Sequence, residues 1–235
     1  MAFDATYIPR RASVATRVLW RAGQWDEAVA TLAPDALAER AEILVDRYWW
    51  RLDDAGAAAA AITALAPSEP VLAGHFDAQL AYARLLFGLD PLPDDAQRAR
   101  DGFTAAAADP RLTGWATFWL GVLADNIGGD PDTATAAYGQ ALAEACRRGD
   151  ALLESYAVRH IGDHLLRHDR EQGIIQLRRS YHLRASLGAR PQTAAAARTL
   201  AGELDPGPEA DQLREAADLT ARELRLTWLM PDHDD

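Results

Sequence analysis

The stretch AGQWDEAVATLAP at residues 22–34 returns 33 residues later as AGAAAAAITALAP at 55–67. Gly23 falls on Gly56, Ala28 on Ala61, Val29 on Ile62, Leu32 on Leu65 and Pro34 on Pro67. A second echo lies toward the other end, where LAEACRRGDALLESYAVRHIG (142–162) aligns without gaps to YHLRASLGARPQTAAAARTLA (181–201), a shift of 39 residues. Gly149 then pairs with Gly188, Ala157 with Ala196, Arg159 with Arg198 and Ile161 with Leu200. Self-similarity at such periods marks helical hairpins stacked into a solenoid.

Working outward, apolar residues recur at three- and four-residue spacing along nearly the whole chain, and no segment alternates in the manner of a strand. The chain reads as all-α. Turn signals divide it at Pro34, at APSEP (66–70), LDPLPDD (89–95) and Pro110, at Gly149-Asp150, at 188–191 and at DPGP (205–208). These predict about six antiparallel hairpins in one domain spanning 1–235, at roughly 8–34, 36–67, 70–109, 111–148, 150–188 and 191–230. The last helix, 208–229, is expected to cap the stack, with PDHDD fraying beyond it.

Particular motifs carry a family resemblance. GQWDEA (23–28) fits a Gly-x-aromatic-x-x-Ala turn into a second helix, with Trp25 in the aromatic place. WLG (119–121) and HIG (160–162) fit a Leu-Gly pair within a first helix, and GDPDTATAAYGQAL (129–142) fits turn and second helix together. These residues resemble the tetratricopeptide repeat, whose units of about 34 residues have bacterial variants near 40. The resemblance is strong at 10–34 and 115–202 and weak at 70–110 and beyond 205. It implies a right-handed α-solenoid, in which Gly121, Gly162 and Ala201 let the two helices of a hairpin approach against Ala28, Ala61 and Ala134.

The resemblance further implies a concave groove lined by the first helix of each hairpin. Carried over position by position, the groove residues are Arg17, Trp20, Asp46, Trp50, Trp115, Phe118, Tyr156, Arg159, Asp163 and Arg198, with His75 and Tyr82 from the poorly aligned third unit. Trp49 and Trp228 are expected in the core or cap. Aromatic walls with guanidinium forks suit a protein or peptide partner with an acidic or C-terminal carboxylate segment. The Arg159 and Arg198 pair is the sharpest candidate, and an ion-pair ladder with Asp163 is its rival. The Lys and Asn pattern of chaperone-binding carboxylate clamps is absent.

Composition narrows the function classes. All 24 basic residues are Arg. This chain therefore cannot supply the Lys of a phosphate-binding P-loop or of Schiff-base and pyridoxal phosphate chemistry. A net charge of −11 disfavours nucleic acid. The first residues lack the apolar stretch of a signal peptide, and no window of about 18 residues is free of charge. The expectation is a cytoplasmic protein without membrane contact. The lone Cys146 can form no internal disulfide and is read as a small buried helix residue.

RHIGDHLLRHD (159–169) places His160, His164 and His168 four apart. On a helix they share a broad face, yet the outer pair lies about 12 Å apart along the axis. One ion cannot reach all three. His160 and His164 are the candidate metal pair, and packing against the following repeat is the rival reading. No complete metal set, nucleophile motif or cofactor signature is present, so no cofactor is expected. The leading expectation is a non-enzymatic scaffold binding protein or peptide in its groove. The alternative is a small-molecule-binding protein or enzyme using the Arg, His and Asp cluster at 159–167. An enclosed apolar pocket next to Asp163 and His164, instead of an open trough, would favour that alternative.

Overall fold

The structure is a computed structural model that describes residues 12–230. Arg10, Arg11, the start of the first expected hairpin and the PDHDD tail lie outside the described residues. Among the described residues twelve α-helices follow one another: α1 (Val14–Arg21), α2 (Trp25–Ala30), α3 (Leu37–Arg51), α4 (Ala55–Leu65), α5 (Pro70–Phe87), α6 (Asp95–Ala107), α7 (Thr113–Leu123), α8 (Pro131–Arg148), α9 (Ala151–Leu165), α10 (Arg170–Ser186), α11 (Arg190–Glu203) and α12 (Pro208–Leu224). Among the described residues there is no strand. Each odd-numbered helix packs on the even-numbered one after it, and successive pairs pack in sequence. Five of the six pairs fall inside the ranges read from the turn signals, and the sixth starts one residue early, at Arg190.

Local chemistry sets the boundaries. Asp130, Asp150 and Asp169 each accept a hydrogen bond from a first-turn amide, of Thr133, Leu153 and Gln172 at 3.0, 3.0 and 3.1 Å. Such a cap contributes about 1 kcal/mol. Gly149 and Gly188, paired by the repeat, both take left-handed conformations (φ +69° and +68°) where α8 and α10 end. Gly23 and Gly56 are not equivalent in the same way. Gly23 turns the chain at φ +79°, whereas Gly56 lies inside α4 and the reversal falls earlier, on Leu52 and Asp54 at φ +53° and +51°. Small residues allow the close approaches expected of them. A Cβ on Gly121 would come within 2.8 Å of the Tyr138 ring, and one on Gly162 within 3.1 Å of the Gly173 carbonyl. Ala28, Ala61 and Ala134 are buried.

The two ends of the chain meet. Trp25, Ile43 and Trp50 share one apolar core with Ala194, Ala195, Ala221, Leu224 and Leu229. Arg51 Nε donates to the Leu224 carbonyl at 3.1 Å, and Arg21 Nη1 to that of Leu187 at 3.4 Å. Helix α12 stops at Leu224, short of the expected 229, because Arg225 takes a left-handed φ of +57°. The residues released form a 3-10 turn (Thr227–Leu229) that crosses to α3, where Trp228 Nε1 donates to the Trp49 carbonyl at 3.0 Å. Among the described residues no helix is long and apolar enough to cross a membrane. Cys146, expected to be buried, is exposed on α8, because it falls outside that helix's buried stripe of Ala134, Tyr138, Ala141 and Ala145.

Candidate binding cavity

A partly open cavity of about 390 Å³ lies beside the contact between the chain ends. Its wall draws on the first helix of all six pairs and on Trp228 from the closing turn. Eleven aromatic residues line it, among them six of the seven tryptophans. The volume lies in the range of small-molecule sites.

The wall beside α1 to α3 is organised by Asp46. One carboxylate oxygen accepts the indole N–H groups of Trp20 and Trp25 at 2.7 and 2.8 Å, and the other accepts that of Trp50 at 3.1 Å. Burial pushes the Asp46 carboxyl above the usual carboxylate range, against the three indoles that favour its charged form. The middle of the wall is ring on ring. Trp49 and Trp119 lie 5.1 Å apart between centroids, Trp49 and Tyr82 5.7 Å, and Trp119 stacks on Phe103 at 5.7 Å. The Nε1 atoms of Trp49 and Trp119 and the Oε1 atom of Gln192 are buried without a hydrogen-bond partner. All three belong to residues of the cavity wall.

The wall formed by α9 to α11 carries the cations. Arg159 is held by Asp163 at 2.8 Å and donates to His160 Nδ1 at 3.3 Å, which leaves a neutral His160 with its proton on Nε2. Burial first, then the positive charges of Arg159, Arg184 and His164, hold the His160 imidazole well below its ordinary pKa. Its ring stacks on Tyr138 at 4.7 Å and meets Phe118 edge-on at 5.3 Å. A single π-helical turn (Ala124–Gly128) follows α7 and supplies the next contacts. Asp125 accepts from Tyr138 Oη at 3.0 Å and contacts His164 Nε2 at 2.9 Å, while Asn126 donates to Tyr82 Oη at 2.6 Å. His164 is therefore engaged by Asp125 and, at 2.7 Å, by Thr135. His168 is exposed. His160 and His164 thus face the preceding hairpin, not the following one. Among the described residues no group of three or more His, Cys, Asp or Glu side chains is placed to hold a metal ion.

Of the residues expected in the groove, Trp20, Asp46, Tyr82, Trp50, Trp115, Phe118, Tyr156 and Arg159 line the cavity. Four do not. Arg17 donates to the Ala12 carbonyl at 2.6 Å, Asp163 lies behind Arg159 as its ion partner, Arg198 is paired with Asp218 on α12, and His75 is fully buried beside Phe76 and Phe103. Arg159 and Arg198 are not brought together. Trp49 and Trp228, assigned to core or cap, both line the cavity. A further lining residue, Arg184, comes from a second helix, α10. Its signal was in the sequence. The buried residues of α10 are Gly173, Leu177, Ser180 and Arg184, so the inward stripe ends in an arginine where an apolar residue belongs. No family model matches the chain, and neither a curated protein nor a solved structure matches it.

Proposed function

We propose that this chain is a small-molecule-binding protein built as one right-handed α-solenoid of the tetratricopeptide type, with its ligand held in the central cavity. The observation that carries the reading is the contact between the first and last hairpins, beside which the aromatic residues line a partly open cavity. An extended peptide needs a trough open at both ends, and here residues 227–229 cross onto α3 and place Trp228 in the cavity wall. The internal repeats, the six helix pairs and the small residues at their contacts support the solenoid. Aromatic faces supply contact area at low entropic cost, and the polar groups between them set orientation.

The test is binding of N-phenyl-1-naphthylamine, a neutral aromatic probe whose emission rises in apolar surroundings. The full chain should take up one equivalent. Ala195→Trp and Thr199→Trp each place an indole into the cavity from α11 and should abolish uptake with helix content unchanged. A probe that fails to bind, or that binds both filled variants as well as the parent, refutes the cavity as the site.

A further inference from the structure

Arg184 is 4 % exposed, its hydrogen-bond partners are neutral, and Arg159 adds a positive charge nearby. Nε donates to Ser155 Oγ at 3.3 Å, Nη1 to the Gln192 carbonyl at 3.0 Å, and the guanidinium lies over the Tyr156 ring at 4.5 Å from its centroid. Among the described residues Nη2 makes no hydrogen bond and no carboxylate forms an ion pair with this side chain. Six half-buried arginines differ. Arg47, Arg51, Arg84, Arg98, Arg159 and Arg198 each hold a carboxylate. Tyr156 is no counter-ion either, because burial pushes its phenol up to about 12. Removing a cation from water without a partner costs several kcal/mol, which is why buried charges are almost always paired.

Resting on the cavity reading above, we infer that the ligand is an aromatic monocarboxylate, its carboxylate on the free edge of Arg184 and its rings against the tryptophan wall. A carboxylate matches the guanidinium fork in two parallel hydrogen bonds, and a low-dielectric cavity strengthens that pair. Arg159 already holds a carboxylate, that of Asp163, which offsets its charge. His160 Nε2 adds a neutral donor from the same wall. The apolar remainder of the cavity excludes a small, strongly hydrated inorganic anion as the preferred occupant.

The experiment displaces bound N-phenyl-1-naphthylamine with 2-naphthoate and, separately, with its neutral isostere 2-naphthamide. The acid should displace the probe at a concentration at least about tenfold lower than the amide. Arg184→Gln should erase that preference while still binding the probe, and Arg184→Lys, which keeps the charge, should retain part of it. Equal displacement by acid and amide, displacement by neither, or a preference that survives in Arg184→Gln overturns the inference and leaves the cavity reading standing. Failure of the probe itself to bind overturns both.

Discussion

Replacing Asp46 with Ala removes the single acceptor of three indole N–H groups that come from α1, α2 and α3. Each orphaned buried donor costs about 1–2 kcal/mol, so the gross loss is about 3–6 kcal/mol. Relief of the buried carboxylate offsets part of it, leaving a net loss of about 2–4 kcal/mol. For a chain of this size that lowers Tm by roughly 5–15 °C. Asp46→Asn should cost less, because its amide oxygen can keep Trp20 and Trp25 while its NH₂ group opposes only the Trp50 donor. The pH dependence separates the two effects. Since burial raises the native pKa of Asp46, the native state binds more protons than the unfolded state above pH 3.8. Its contribution is therefore greatest below pH 3.8 and is lost as pH rises through the native pKa. Asp46→Asn should lack that decline. Urea unfolding followed by far-ultraviolet circular dichroism and tryptophan emission, between pH 4 and pH 8, measures both. An Asp46→Ala variant within about 0.5 kcal/mol of the parent would refute the role assigned to this carboxylate.

Gly23→Val should destabilise the protein by about 2–4 kcal/mol, from left-handed backbone strain and from a Cβ only 2.7 Å from a Leu224 methyl and 3.3 Å from Pro191 Cγ. It should also weaken probe uptake, since Gly23 is where the first hairpin touches the last; unchanged urea midpoint and unchanged uptake together would deny that contact its role. His75 is fully buried, and burial lowers its pKa to about 3, so its contribution to stability is complete above pH 6.5 and is lost as pH falls from there toward the native pKa. His75→Phe should gain about 2–3 kcal/mol on the parent between pH 7 and pH 4.5, and a pH-independent difference in unfolding free energy would count against it.

What the sequence revealed, and what it hid, divides along the range of the interactions. Helix pairs were legible because their causes are local: Asp caps at 130, 150 and 169, turn residues at 149 and 188, and periodic apolar positions between them. Most aromatic members of the cavity were legible too, because each sits at a repeated place on the first helix of its unit. Trp49 packs against the core as read, but it also lines the cavity beside Trp50, which the reading of one groove residue and one core residue did not anticipate. Arg198 was overvalued because repeat equivalence with Arg159 says nothing about α12, which supplies Asp218 only to the last unit. Closure itself left little trace. It depends on residues about 170 positions apart, such as Arg51 with Leu224, and on one backbone reversal at Arg225 that no glycine announces.

That same non-locality explains why a site can exist here without a motif. In an open stack each hairpin touches only its neighbours, and a ligand groove is a sum of similar steps. Here the wall is complete only when Trp228 and α11 lie against α3, so no single repeat contains the site and no short pattern could mark it. The energetic consequence is specific. Arg184 stands in a stripe that otherwise holds Gly173, Leu177 and Ser180, its desolvation needs to be offset, and it lines the cavity, where the proposed carboxylate would reach it. Enclosure also strengthens that pairing, because excluding water is what makes a guanidinium–carboxylate bond strong enough to matter. On the proposed reading, the contact between the chain ends and the arginine without a carboxylate partner are two parts of one arrangement, the first creating the environment in which the second would recognise a ligand.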